Sequence, residues 1–201
     1  MEGQVCILGG CGAEMESLHE VCIVDLATGL CKPLPHLGIP RADFMSARLP
    51  DGRIILAGGW HGGNDHDSAE VWEPSRVAWR SLPGMGTRRC GGAGCLMSGS
   101  RFVVFGGIGG VLVDGSRAIL GSCQALVLDN GVERWEPLPP MLEARAGFAC
   151  AAMGGCVIVA GGRGDNTGLS STEVYEEAAG LWRRLPCDLP HALSNMGSVQ
   201  L

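Results

Sequence analysis

The sequence predicts an all-β protein assembled from about four repeated units of four antiparallel strands. Three observations predict it. Paired glycines recur at Gly9-Gly10, Gly58-Gly59, Gly106-Gly107 and Gly161-Gly162, in steps of 49, 48 and 55 residues. A short, nearly continuous apolar run precedes each pair, as in Val5-Cys6-Ile7-Leu8 and Ile54-Ile55-Leu56-Ala57. A later position holds Val24, Trp72, Leu128 or Tyr175; seven residues on stands Cys31, Trp79, Trp135 or Trp182, and then a Leu-Pro pair. Self-similarity at a fixed period marks a repeat architecture, and it constrains the fold more than any local propensity.

The first unit covers about 4–35 and opens directly on its double-glycine strand, 4–8. A loop over 11–19 leads to a strand near 21–25, and a turn at Thr28-Gly29 leads to an outer strand over 31–34. Cys31 replaces the tryptophan of the other units, so this unit packs least well at its rim; a large buried side chain is worth about 1.5–3 kcal/mol. The second, third and fourth units cover about 44–83, 93–139 and 148–186. Their first strands, 44–49, 94–97 and 148–153, are rich in Ala, Gly, Ser and Cys, which suits a crowded innermost position. Tight turns at Pro50-Asp51-Gly52, Ser98-Gly99-Ser100 and Gly154-Gly155 join them to the double-glycine strands. Those strands are apolar at successive positions, as expected where neighbouring sheets cover both faces. Residues 195–201 read as one more innermost strand, which would complete the first unit in a closed ring.

Composition bounds the function. The chain has 201 residues, enough for one domain, and no linker breaks the period. Its net charge of −6 speaks against nucleic acid as a partner, because phosphate binding needs a basic face. No window reaches the 18 or so apolar residues of a membrane span. The N-terminal MEGQVCILGG lacks a basic leader and a long apolar stretch, so the expected location is the cytoplasm, with the nucleus open. The 10 cysteines contain no C-x-x-C, and several lie in apolar strands, where a free thiol packs as a small hydrophobe. Neither a metal nor a cofactor is expected.

The double-glycine strand, the spaced tryptophan and the closing Leu-Pro resemble the kelch repeat family, over essentially the whole chain. The unit length of that family is about 50 residues. The resemblance implies a kelch-type β-propeller in which each unit is a four-stranded blade. The ring is then either a closed four-bladed one or part of a five- to seven-bladed one. Gly9, Gly10, Gly58, Gly59, Gly106, Gly107, Gly161, Gly162, Trp72, Tyr175, Trp79, Trp135 and Trp182 are its structural signature.

Strand direction puts two sets of long loops on one face. They are 11–19, 60–68, 108–122 and 163–171, and 36–43, 84–90, 140–147 and 187–194. Recognition concentrates on such loops, and the resemblance implies a peptide or protein partner bound on this face, at the mouth of the channel. Arg41, Arg88, Arg89 and Arg145 recur just before the innermost strands and could clamp carboxylates; alternatively, they pair with acidic groups of neighbouring blades. Trp60 and His61 open the chemically dense loop 60–67, read as solvated, with Trp60 an interface anchor. Arg163 opens an Arg-Gly-Asp triplet read as turn chemistry. The insertion 109–122 forms an extra hairpin or a partner contact.

No Gly-x-Ser-x-Gly elbow, P-loop or paired-histidine motif is present, so the expectation is a non-enzymatic interaction scaffold. The resemblance adds substrate recognition for a ubiquitin ligase, with ligase components as partners. The alternative is an enzyme on the same scaffold, such as a sugar-modifying isomerase. The copper oxidases of this fold use two tyrosines, one crosslinked to cysteine; the single Tyr175 does not supply that set.

Overall fold

A computed structural model describes residues 3–111, 115–129, 131–165 and 167–196. The first sheet has three strands in sequential order, β1 (Gln4–Cys11), β2 (Ser17–Asp25) and β3 (Cys31–Leu34). The second comprises β4 (Met45–Arg48), β5 (Ile54–Ala57), β8 (Ala69–Trp72) and β9 (Arg80–Leu82), with the hairpin β6 (Trp60–His61) and β7 (Asn64–Asp65) rising between β5 and β8. The third comprises β10 (Ala93–Met97), β11 (Arg101–Phe105), β14 (Cys123–Asp129) and β15 (Val132–Leu138), with the hairpin β12 (Ile108–Val111) and β13 (Arg117–Ile119). The fourth comprises β16 (Ala149–Met153), β17 (Cys156–Ala160), β18 (Thr172–Glu176) and β19 (Leu181–Arg184). Every pairing is antiparallel, and no α-helix occurs among the described residues. None of their helices is long and apolar enough to cross a membrane.

Several expectations shift by small, explicable amounts. β1 continues through Gly9-Gly10 to Cys11, with a bulge between Leu8 and Gly10. The stretch 60–67, expected as a solvated loop, forms the hairpin β6/β7, because Gly62 and Gly63 take φ of 57° and 84°. Two successive left-handed residues make the tight turn whose twist matches flanking strands. Of the two readings of the insertion 109–122, the extra hairpin is the one formed, as β12/β13. In the third sheet Trp135 lies opposite Leu126, where Trp182 lies opposite Tyr175. Leu126, not Leu128, therefore holds the repeat position, displaced because β14 and β15 are longer than their counterparts. The innermost strand expected over 195–201 falls almost entirely outside the described residues.

The apolar core lies in the seams between successive sheets. Val103, Phe105, Val157 and Val159 pack between the third and fourth, and Ile55, Val71, Phe102 and Val104 between the second and third. Leu8, Val21, Leu56 and Trp79 fill the first seam. Each seam is tied by the same two hydrogen bonds. The second glycine of a pair donates its N–H to a carbonyl on the segment leading into the following unit: Gly10 to Arg41 at 3.0 Å, Gly59 to Arg89 at 2.8 Å and Gly107 to Arg145 at 2.9 Å. Each rim tryptophan donates Nε1–H to the carbonyl of a proline ending the previous unit: Trp79 to Pro35 at 2.9 Å, Trp135 to Pro83 at 2.8 Å and Trp182 to Pro139 at 2.9 Å. Gly59 and Gly107 are required by close approach, since a Cβ would stand 2.8 Å from the Ala42 carbonyl oxygen on the first and 2.6 Å from that of Cys90 on the second.

Candidate functional site

The recurring arginines are not open to a ligand. Arg41, Arg89 and Arg145 are each 0 % exposed. Arg41 Nη1 donates to the Gly58 and Ser68 carbonyls at 2.6 and 3.3 Å, and Nη2 donates to Ser68 Oγ at 3.1 Å and Glu70 at 2.6 Å. Arg145 repeats this with Gly161, Ser171 and Glu173. Arg89 repeats it with Gly106 and Ser122, but meets Gln124 Oε1 at 3.3 Å where the others meet a carboxylate. Burial without that countercharge pulls its pKa down to about 10. The expectation that these three side chains ring an open channel mouth is thus corrected: their forked donors are consumed by carbonyls inside their own sheets. Partnering by acidic residues, the other reading of the arginines, describes Arg41 and Arg145, with the partner in the same sheet. The sequence signal for the partners was present: Ser68-x-Glu70, Ser122-x-Gln124 and Ser171-x-Glu173 share one spacing.

What does open on the long-loop face is a cavity of about 470 Å³ where the sheets converge. Asp43, Phe44, Arg117, Phe148, Arg163 and Asn195 contribute to its wall. The wall is shaped by left-handed residues at corresponding places, Asp43, Gly91, Gly147 and Asn195, with φ of 53°, 61°, 60° and 56°. Each follows a buried arginine, or Leu193, by two residues, a Gly/Asx pattern visible in the sequence. Backbone bridges pair Ala42 with Trp60, Cys90 with Ile108 and Ala146 with Arg163, so both sets of long loops do meet on this face.

The two small hairpins are joined across this face. Arg117, on β13, forms an ion pair with Asp65, on β7, and its Nη2 donates to Cys90 Sγ at 3.2 Å. Burial pushes the Cys90 thiol up to about 11, so it stays neutral at physiological pH and acts as wall. Arg163 is exposed and lines the cavity. Arg88 is exposed beside it in sequence to buried Arg89, but Trp60, His61 and Arg88 lie outside the cavity lining. Trp60 is half-buried, its carbonyl accepting from Ser17 Oγ at 2.9 Å, so it braces the first seam as well as facing solvent. The His61 and His66 rings stack with centroids 6.4 Å apart, and burial lowers the pKa of His66, with Arg41, His61 and Arg88 adding to the effect. Among the described residues, no cluster of three or more His, Cys, Asp or Glu is placed to hold a metal. Tyr175 is buried against Trp182, with ring centroids 5.3 Å apart.

Known proteins echo the repeat. The profile described as the kelch motif matches residues 44–86 and 144–187, which contain the second and fourth sheets. Human Kelch-like protein 33 is 32 % identical over 187 residues, covering 80 % of this chain and 33 % of that protein. Two galactose oxidase sequences from Gibberella zeae are 35 % identical over 82 residues, 40 % of this chain and 11 % of theirs. The chain therefore spans a third or less of the length of these curated relatives. Register, sheet topology and these matches agree on one assignment, and the chain belongs to the kelch repeat family.

Proposed function

We propose that the chain is a non-enzymatic interaction scaffold that binds a peptide or protein partner on its long-loop face. The observation that carries this reading is the cavity of about 470 Å³ walled by loops from successive sheets. Its polar wall offers an exposed guanidinium at Arg163 and a second at Arg117 already sharing its charge with Asp65, with Phe44 and Phe148 in its apolar lining. Such a mixture suits a peptide carrying a carboxylate beside an apolar side chain. The kelch-like relative supports protein partners in general; substrate recognition for a ubiquitin ligase, in the cytoplasm or nucleus, is the narrower form of the proposal. Capture of partners with wild type and with Arg163→Glu tests it. The variant should lose partners while keeping its unfolding midpoint, and an unchanged set of partners, at unchanged yield, would sink the reading. Recovery of ligase subunits with wild type alone would support the narrower form.

The likeness to galactose oxidase favours a second reading, an enzyme on the same scaffold such as a sugar-modifying isomerase. Tyr175 sits in a seam and is not presented to a substrate. Turnover of a panel of hexoses, followed by NMR, would decide for this reading against the first.

A further inference from the structure

The seams also reach the face opposite the long loops, where the tight turns lie, and there they differ from one another. The cleft between the second and third sheets has a volume of about 440 Å³. The clefts between the first and second sheets and between the third and fourth have about 40 and 180 Å³. Leu49 and Arg53 from the second unit, and Ser100, Arg101, Leu126 and Leu128 from the third, contribute to the wall of the large one.

The repeat accounts for its size. Trp72 lies opposite Ile54, Leu126 opposite Phe102 and Tyr175 opposite Val157, so these three residues hold one position in successive sheets. Trp72 walls the smallest cleft, and Tyr175 belongs to the core of the last seam. The middle seam thus has an aliphatic side chain where its neighbours have a ring, and the apolar wall there is Leu49 and Leu126, both buried. The charge at this place also does not repeat. Gln4, Arg53, Arg101 and Cys156 each stand five residues before a glycine pair, so the middle cleft receives guanidinium groups from both of its sheets. Arg53 donates Nε–H to Asp51 at 2.8 Å, and Arg80 holds Glu133 through bonds of 3.0 and 2.7 Å. Arg101 Nε, by contrast, is buried with no hydrogen-bond partner among the described residues. A buried donor without an acceptor is costly, so a ligand that brings an acceptor to it gains that energy back.

We propose that this cleft binds a small aromatic carboxylate. The ring lies against Leu49, Leu126 and Leu128, in the volume that the Trp72 and Tyr175 rings fill in the neighbouring seams. The carboxylate accepts from Arg101 in the two-point mode natural to a guanidinium, and Arg53 adds positive charge. An apolar wall with a few convergent polar groups is the usual make-up of a small-molecule site. An amine would meet two guanidinium groups of like charge, and a neutral ring would leave Arg101 without its acceptor. The cleft lies away from the long-loop face, so it stands or falls independently of peptide binding there.

The experiment titrates indole-3-propionate into the nitrogen-15-labelled chain and follows its amide resonances. Those of Ser100, Arg101 and Leu126 should shift, with a dissociation constant of about 1 mM or tighter for a ligand of this size. Those of Ala146 and Arg163, on the long-loop face, should stay in place. Indole-3-propionamide keeps the ring and loses the charge, and it should bind at least about tenfold more weakly. The acid should bind Arg101→Gln more weakly by the same factor. Leu126→Trp, which restores the aromatic residue of the repeat, should exclude the acid while keeping the unfolding midpoint. Absence of shifts with the acid, equal binding of acid and amide, or undiminished binding to either variant would overturn the proposal.

Discussion

Arg41 and Arg145 have exchanged water for a fixed set of carbonyl, hydroxyl and carboxylate acceptors, and Arg89 has done the same without the carboxylate. That contrast orders the consequences of removing them. Arg41→Met and Arg145→Met strand a buried glutamate and should each destabilise the fold by about 3–5 kcal/mol. Arg89→Met strands only neutral acceptors and should cost less, about 1–3 kcal/mol. Urea unfolding of the three variants checks the order, and an Arg89 variant as damaging as the others would contradict it. The recurrence of these arginines was legible in the sequence; their destination was not. Spacing along a chain shows that a residue type repeats, but not whether its side chain turns outward to a channel or inward to carbonyls. The accompanying Ser-x-Glu spacing carries that information, because a cation beside a recurring carboxylate and hydroxyl has acceptors to be buried with.

The hairpin β6/β7 depends on two glycines in a left-handed turn, so a β-branched residue there meets direct steric cost. Gly63→Val should cost the hairpin about 1–2 kcal/mol, from the penalty of the left-handed region. Exchange of the hairpin amides should rise while those of β5 and β8 stay protected. The hairpin is also sensitive to acid. His66 has a lowered pKa in the fold, whereas the unfolded chain takes up its proton near pH 6.5. Below that pH the unfolded state therefore binds more protons, and stability falls as pH drops from about 6.5 towards the folded value. His66→Gln should remove this part of the slope, measured as the change in urea midpoint between neutral and mildly acidic buffer. Element types were largely readable, since strands announce themselves by apolar runs ended by glycine. The stretch 60–67 is ambiguous in sequence because two adjacent glycines signal flexibility and a two-residue turn equally well; the pairing of Trp60 with Asp65 decides between them.

Across the whole molecule, stability is shared among seams rather than concentrated in one core, so neighbouring units support one another pairwise. Among the described residues the first sheet has a partner on one face, three strands, and Cys31 where the others bring a tryptophan. Amides of β1 and β2 should exchange earlier than those of β10 and β11. Equal protection would show that the seams unfold as one unit. The repetition was legible because the glycine pairs recur in register. Whether the sheets form an arc or a ring was not, because a periodic sequence looks the same in both.

The indole bonds at the rim have a spectroscopic consequence. Trp79, Trp135 and Trp182 each bind a proline carbonyl across a different boundary, so each boundary carries its own built-in chromophore. Replacing Trp60, Trp72 and two of these three with phenylalanine would leave one of the five tryptophans, a single emission signal reporting when one chosen pair of sheets parts. Three such chains would time the opening of the protein boundary by boundary, without any external label.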